Sequence, residues 1–409
     1  MKQLLLLLLC LYGGVVGWAC TSAVVSGRAT PDGRPLLWKH RDTDFLQNHV
    51  EYVRGERYDF IAVVNSADYS LKKEAWIGVN SAGFALMNTQ SYNLVDVKEG
   101  EERGVANGRA IHRALELCAT VDDFRHYLDT LRKPSMIEAN FGVIDARGGA
   151  VMFEVDDYGY KAYDANDPQV APDGYVARTN FSVSGTYGPG AGVVRYQEAV
   201  RVLEPLAREQ AITPGRIFTD LSRSFHHCLL DVDLRQPPFT GEDASGWFVD
   251  QDFIPRGSTS CSVVVQGVKP DEDAGLSTMW TLLGYPPTGV AVPLWVDERL
   301  PDGVRLDNAL STSPFSYYSL RLKDKVFGLK WGMGSERYLH WTLLYDRTGK
   351  GYMQRLAPAE ERIRRQAESL LEKWRRKGHR DRRDMRAFYD SLAKDESWNL
   401  FNELYNMNQ

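Results

Sequence analysis

The hydrophobic positions of the chain form one block and then two periodicities. Leu4 to Leu9 with Cys10 and Leu11 make an apolar run, preceded by Lys2 and followed by small Gly17 and Ala19. That order predicts a secretory leader over residues 1–19, cut so that Cys20 becomes the first residue. From Thr21 onward the pattern shifts to short strand-like runs separated by turns. They are Thr21–Ser26 and Pro35–His40 about the turn Thr30-Pro31-Asp32-Gly33, then Trp76–Asn80 and Phe84–Thr89 about Ser81-Ala82-Gly83. Phe141–Ile144 and Val151–Val155 follow about Asp145–Gly149, then Tyr175–Thr179 ending at Asn180, and Cys261–Val265.

Helical spacing marks other segments. Gly104–Ala119 carries Ile111, Ala114, Leu115 and Cys118 on one stripe, and Val121–Leu131 continues as a second helix. Val193–Leu206 predicts a third, and Thr213-Pro214 opens a fourth that is expected to carry His226-His227-Cys228. From Pro358 to Tyr405 two helices are expected, broken near Gly378, with Ile363, Ala367, Leu370, Leu371 and Trp374 on the buried side. They are expected to pack on the domain or on another subunit, which leaves homo-oligomerisation open. The resulting division is a leader at 1–19, a domain at 20–335 and a C-terminal helical extension at 336–409.

Composition narrows the function classes. A net charge of −5 and mixed-sign charge in the C-terminal helices argue against a nucleic-acid partner. No second apolar run is long enough to span a bilayer, so a secreted or periplasmic protein without a membrane span is expected. Beyond the leader the cysteines are Cys20, Cys118, Cys228 and Cys261, too few for a disulfide framework. Adjacent histidines on a helix point in different directions, so no metal site is expected at His226-His227-Cys228. The glycine-rich stretch Gly185–Gly192 contains Pro189 and no Lys-Ser/Thr, and reads as a flexible loop near the substrate mouth rather than a phosphate cradle.

Cys20 is the candidate nucleophile. On the first residue of a mature chain, a thiol has a base within its own residue, the α-amino group, whose reference pKa is about 8. Lipidation of Cys20 is the competing use of such a cysteine, although Gly17 stands where lipoprotein leaders carry an aliphatic residue. The strand facing it, Leu36 to His40, leads into the charged run Lys39-His40-Arg41-Asp42-Thr43-Asp44, which composition alone also allows as a surface loop.

Taken together, Cys20-Thr21-Ser22, this hairpin, Gly78-Val79-Asn80 with its second strand through Asn88, the hairpin ending at Glu154, and Thr179-Asn180 resemble the cysteine-type N-terminal nucleophile (Ntn) hydrolases. The chain is similar to the choloylglycine hydrolase and penicillin acylase group, closest in texture to the acyl-CoA:6-aminopenicillanic acid acyltransferase-like peptidases (C45 type). The resemblance covers about Cys20 to Leu283. It implies an α+β fold, a four-layer αββα sandwich with the C-terminal helices added.

It further implies Cys20 as nucleophile, Asp42 (or Asp44) as the acid that orients the amino group, and Lys39 or Arg41 as the cation beside the thiol. Asn180 is the implied side-chain oxyanion donor, and Asn88 the residue supplying a second. Arg256 is expected to line the pocket with Lys39 and Asp44. Asn180 also begins Asn180-Phe181-Ser182, a formal glycosylation acceptor, and Asn88 reads equally as an edge residue. The expected function is hydrolysis of a linear amide in a small-molecule substrate through a thioester, with no cofactor. Acyl transfer from the same thioester, or a silent and lipid-anchored binding protein, are the alternatives.

Overall fold

The computed structural model describes residues 20–97, 103–240, 245–331, 336–392, 400, 401, 403 and 404. The expected leader and the end of the last expected helix lie outside them. The strands of the two main sheets are, in chain order, β1 (Thr21–Val25), β2 (Leu36–Asp42), β3 (Asn48–Val53), β4 (Phe60–Asn65), β5 (Ile77–Asn80), β6 (Ala85–Gln90) and β7 (Ala139–Ile144). They continue as β8 (Ala150–Val155), β9 (Tyr160–Asp164), β10 (Tyr175–Arg178), β11 (Thr259–Gln266), β12 (Thr278–Leu283) and β13 (Val292–Leu294).

One sheet runs β10-β1-β2-β11-β12-β13 and the other β3 through β9 in sequence order, both antiparallel. β1 and β2 lie against β6 and β7, so the sheets are stacked face to face. Helices α1 (Asn107–Leu117) and α2 (Val121–Thr130) cover the outer face of the seven-stranded sheet. Helices α3 (Val193–Arg208), α4 (Pro314–Val326) and α5 (Tyr352–Lys377) cover that of the other. The architecture is the αββα sandwich that the resemblance implies.

Sandwiching explains the sequence texture. A strand covered on both faces needs no polar face, and β4 (Phe-Ile-Ala-Val-Val-Asn) and β8 (Ala-Val-Met-Phe-Glu-Val) are buried at every position. Phe84, Phe124, Phe141, Phe153 and Leu115 fill the space beneath α1 and α2. A larger core unites the space between the sheets with the side of the six-stranded sheet that carries α3 to α5.

Four expectations change. α1 starts at Asn107 rather than Gly104. The helix opened by Thr213, whose hydroxyl accepts from Arg216 N, ends in a wide turn at Leu221, and His226–His227 form a strand paired with Val232–Asp233. Helix α5 begins at Tyr352, ahead of Pro358, because the Gln354 side chain accepts from Gly351 N and holds the first turn closed.

The fourth change concerns the extension. It opens with a strand, Arg337–His340, paired to Trp247–Val249 of the preceding domain. Its helices share that domain's core, too. Ile363, Ala367, Leu371 and Trp374 of α5 are buried there, and Trp374 meets Trp295 edge-on with centroids 4.9 Å apart. Glu360 is gripped by Arg223 at 2.6 Å and accepts from Ala291 N. Gly378, at φ 78°, ends α5 in the left-handed conformation and turns the chain into α6 (Arg382–Leu392).

Truncating Trp374 to alanine should therefore destabilise the whole molecule, by about 3–5 kcal/mol. Urea unfolding followed by tryptophan fluorescence and far-UV circular dichroism should still give one coincident transition. Separate transitions would show that the extension folds on its own.

Candidate active site

β1 lies between β10 and β2, and its register pairs Thr21 with His40 and Ser22 with Lys39 and with Arg178. Cys20 stands one residue before this ladder, buried at the strand's entrance. Its backbone nitrogen donates to Asn180 Oδ1 at 2.7 Å. Its carbonyl accepts from Arg195 Nη1 at 2.7 Å, and the other arm of Arg195 reaches Asn180 Oδ1 at 3.1 Å. Its Sγ lies 3.8 Å from the Asp42 carbonyl oxygen. Cys20 is thus held at its nitrogen, its carbonyl and its sulfur.

Asn180 is itself firmly placed. Asn140 of β7 donates to the carbonyls of Thr179 and Phe181 on either side of it, at 3.2 and 3.1 Å. Glu154 of β8 accepts from Arg178 and from the backbone of Val183 and Ser184. Burial, the largest effect, pushes Glu154 up, but the Arg178 charge together with the hydrogen bonds from Ser184 and Arg178 holds the carboxyl below its ordinary range.

The expected flexible loop Gly185–Gly192 turns back onto the same residue. Asn180 and Ala191 exchange backbone hydrogen bonds at 3.2 and 3.1 Å. Gly192 has φ 83°, and a Cβ there would stand 2.2 Å from Arg195 Nη2. A side chain at 192 would push the guanidinium away from Cys20.

The charged run of β2 is strand rather than surface loop. Lys39, His40, Arg41 and Asp42 are all 2 % exposed or less. Alternation divides them. Lys39 and Arg41 point between the sheets, where Lys39 Nζ donates to the carbonyl oxygen of Asn88 and, at 2.9 Å, to its Oδ1. Arg41 donates to Asn48 Oδ1 at 2.7 Å and Asn65 Oδ1 at 2.9 Å, with its guanidinium 4.5 Å from the Trp76 ring centre. Desolvation pushes the Lys39 ammonium down to about 8, resisted by the nearby Cys20 sulfur.

His40 and Asp42 point the other way. Asp42 binds Arg256 Nε at 3.0 Å and Thr259 Oγ1 at 2.7 Å. Burial lowers His40 to about 4, despite Asp42, so it is neutral near pH 7. Asp44 lies on an exposed bend, away from this group. Of the two acids left open by the sequence, Asp42 lines the cleft with Cys20, but only its backbone carbonyl meets that residue, and the Cys20 nitrogen is held by Asn180 rather than by the Asp42 carboxylate expected to orient it.

Cys20, Lys39, Arg41, Asp42, Asn88 and Trp76 line one cleft of about 260 Å3. Asn88 has its amide orientation set by Lys39, which holds Oδ1, and its Nδ2 makes no hydrogen bond among the described residues. Asn180 differs from expectation. Its oxygen holds the Cys20 nitrogen, and its Nδ2 gives a hydrogen to the Gln90 carbonyl at 2.8 Å. Asn88 lines the cleft with its Nδ2 unbonded among the described residues, whereas Asn180 has one of its two amide hydrogens already given.

Away from the cleft, Glu198, His226 and Cys228 converge. The argument from helical spacing fails here, because His226 lies on a two-residue strand and Cys228 in the turn that follows it, not on a helix. The Glu198 carboxylate is met by Arg201 through two nitrogens, and by Ser224, His226 and Cys228.

Arg195 and Asn140 escaped the sequence reading, as did Arg41's partners Asn48, Asn65 and Trp76. The glycines at 190 and 192 read only as loop flexibility, and nothing in the sequence names Arg195 as the cation that Gly192 accommodates.

No family model matches the chain, and no curated protein matches it. Solved structures do. A variant of conjugated bile acid hydrolase from Clostridium perfringens is similar over 69 % of this chain and 94 % of its own, at 10 % identity and a TM-score of 0.41. The Caenorhabditis elegans orthologue of N-acylethanolamine-hydrolyzing acid amidase aligns over 60 % and 92 %, at 14 % identity and a TM-score of 0.35. Penicillin V acylase from Agrobacterium tumefaciens aligns over 68 % and 86 %, at 13 % identity and a TM-score of 0.37. Likeness this remote assigns no residue, and the site stands on its own distances and charges. Among the described residues, no helix is long and apolar enough to cross a membrane.

Lys39 generates a linkage prediction. Its pKa is about 8 folded and 10.5 in the open chain, so between these values the unfolded state binds more protons and stability rises with pH. Relative to Lys39→Met, wild type should gain roughly 3 kcal/mol of unfolding free energy as pH rises from 8 to 10.5. Urea titrations of both proteins across that window test this, and a constant difference would show that the ammonium is not buried uncompensated.

Proposed function

We propose that the mature protein, cut after Ala19 during export, is a cysteine amidohydrolase of the Ntn type acting on linear amides. The observation that carries this reading is the hold of Asn180 Oδ1 on the Cys20 nitrogen inside a cleft lined by the thiol and two buried cations. Once the leader is removed, that nitrogen is an amine whose reference pKa of about 8 lets it be a base near neutrality.

The neutral amine takes the proton from Sγ, directly or through a water. Lys39 and Arg41 favour the thiolate, which attacks the amide carbon as the carbonyl electron pair moves to oxygen. Asn88 Nδ2 is the donor offered to that oxyanion, with the remaining Asn180 amide hydrogen as a second candidate. Collapse breaks the C–N bond, and the leaving amine takes the proton from the α-ammonium. Water then adds to the thioester with the amine again as base, releasing the acid and restoring the thiol. Arg256 holds Asp42 against the β2 terminus, and Arg195 sets the Asn180 oxygen, so both are positioning residues in this scheme.

The secreted protein should begin at Cys20 by intact mass and convert amides from a mixed panel to acid plus amine. Cys20→Ala should abolish turnover, and Asn88→Ala should lower kcat about 100-fold or more. Quenched reactions should show an acyl mass on Cys20. Added amines forming new amides would identify an acyltransferase instead. A Cys20→Ala protein with undiminished activity, or a mature chain blocked by lipid at Cys20, would sink the assignment.

A further inference from the structure

None of Glu198, His226 and Cys228 lines the Cys20 cleft, and the scheme for amide hydrolysis uses none of them. The cluster joins two elements. Glu198 stands on α3, while His226 and Cys228 lie in and just after the short strand that follows the wide turn at Leu221.

Its hydrogen bonds crowd one atom. Glu198 Oε1 accepts from Arg201 Nη2 at 2.8 Å and from Ser224 Oγ at 2.5 Å, which occupies both of its lone pairs. Glu198 Oε2 is met by three groups, Arg201 Nε at 2.8 Å, His226 Nδ1 at 2.8 Å and Cys228 Sγ at 3.1 Å. An oxygen with two lone pairs serves two donors well, so three is one too many. A single cation in place of the imidazole and thiol protons removes the conflict. It takes the lone pair that Arg201 leaves, and it bonds the nitrogen and the sulfur as well.

The spacing suits such an ion. Sγ and Nδ1 are 3.8 Å apart, so the three ligand atoms form a triangle with sides of 2.8, 3.1 and 3.8 Å. Its corners lie about 1.9 Å from its centre, and an ion slightly out of the plane meets all three at the roughly 2.0–2.3 Å of zinc bonds. Three ligands on one side of an ion leave a fourth position. His226, Ser224 and Arg201 line a neighbouring cleft of about 360 Å3, from which water can fill it.

The surroundings hold the ligands in place. Arg201 and Ser224 fix the carboxylate, and His226 N donates to Ser224 Oγ at 3.3 Å. His226 Nε2 lies 3.8 Å from Asp231 Oδ1, so with Nδ1 on a metal the ring proton faces a carboxylate, the usual arrangement behind a ligating histidine. Nitrogen, sulfur and one carboxylate oxygen select an ion of zinc's softness over calcium or magnesium, which take shells of oxygen.

We propose that Glu198, His226 and Cys228 bind a divalent cation of the zinc class, which ties α3 to the strand at His226. Bonds form from the metal to Oε2, Nδ1 and Sγ, the thiol proton passes to solvent, and the imidazole keeps its proton on Nε2. The inference does not depend on the amidohydrolase reading.

Cobalt(II) reports thiolate ligation directly. The amine and thiol of a mature Cys20 chelate metal themselves, so the test uses the full mature chain carrying Cys20→Ala. Among the described residues, neither Cys118 nor Cys261 belongs to a comparable cluster. One equivalent of Co2+ should produce a sulfur-to-cobalt charge-transfer band in the near ultraviolet with tetrahedral d–d bands in the visible. Zn2+ should bleach both, and Ca2+ and Mg2+ should leave them unchanged. Adding Cys228→Ser should remove the charge-transfer band. Ser224→Ala, which takes away only support for the carboxylate, should weaken Co2+ binding about 10–100-fold while the band survives at saturation.

A second measurement needs no change at the cluster. Cys228 is partly exposed, and Zn2+ should protect it from iodoacetamide, read by peptide mass. Co2+ titration without the charge-transfer band overturns the proposal even if the substituted proteins misfold, and so does equal alkylation of Cys228 with and without Zn2+. The cluster is then a hydrogen-bonded tie only. A band that persists after Cys228→Ser overturns the assignment of these ligands.

Discussion

The chemistry proposed for this molecule depends on the contact between the Cys20 nitrogen and the Asn180 side-chain oxygen, 2.7 Å long and made at the head of a central strand. A chain terminus ordinarily frays, because few contacts repay its conformational entropy. Here the residue after the expected cut is the start of a sheet and is gripped from three sides. Arg195 holds its carbonyl, Asn180 its nitrogen, and the Asp42 backbone lies beside its sulfur. The grip is indirect in origin. Asn180 is steady because Asn140 and Glu154 of the other sheet fasten the segments on either side of it. The two sheets must stack before the terminus has a partner.

The same stacking forces charge into the interior. β2 runs down the middle of its sheet, so neither Lys39 and Arg41 on one face nor His40 and Asp42 on the other reaches bulk water. Each is answered by polar groups of a different element. Asn88 meets Lys39, Asn48 and Asn65 meet Arg41, and Arg256 with Thr259 meet Asp42. Neutral amides around the inner pair leave positive potential in the cleft beside the Cys20 sulfur. Stability is sacrificed for that potential, since a buried cation satisfied only by dipoles is costly. Such local conflict with the hydrophobic rule is expected where function is located.

The C-terminal helices show how far the body of the fold extends. Their apolar stripe was legible as a period of 3.6, and Gly378 as its break. That they close the core of the preceding domain, with Trp374 against Trp295, follows from which outer face was left uncovered. A strand at Arg337–His340 was illegible, because four residues pairing with a distant three-residue strand carry no local pattern.

The sequence by itself determined most of the elements and put forward Cys20 as the candidate nucleophile. Turn residues between short apolar runs specify the hairpins, helical spacing specifies α1, α2, α3 and α5, and a cysteine after a leader-like block singles out Cys20. These signals are local, set by backbone conformations that each residue type favours. Tertiary structure decided what surrounds the sulfur. Whether the Lys39–Asp44 run was a surface loop or a buried strand depended on layers formed by residues far along the chain. Setting the Asp42 carboxylate against Arg256, turning the Asn180 oxygen toward the Cys20 nitrogen and bringing Arg195 to the Cys20 carbonyl are all contacts across more than a dozen residues of sequence, and no local preference encodes which partner a buried polar group will meet.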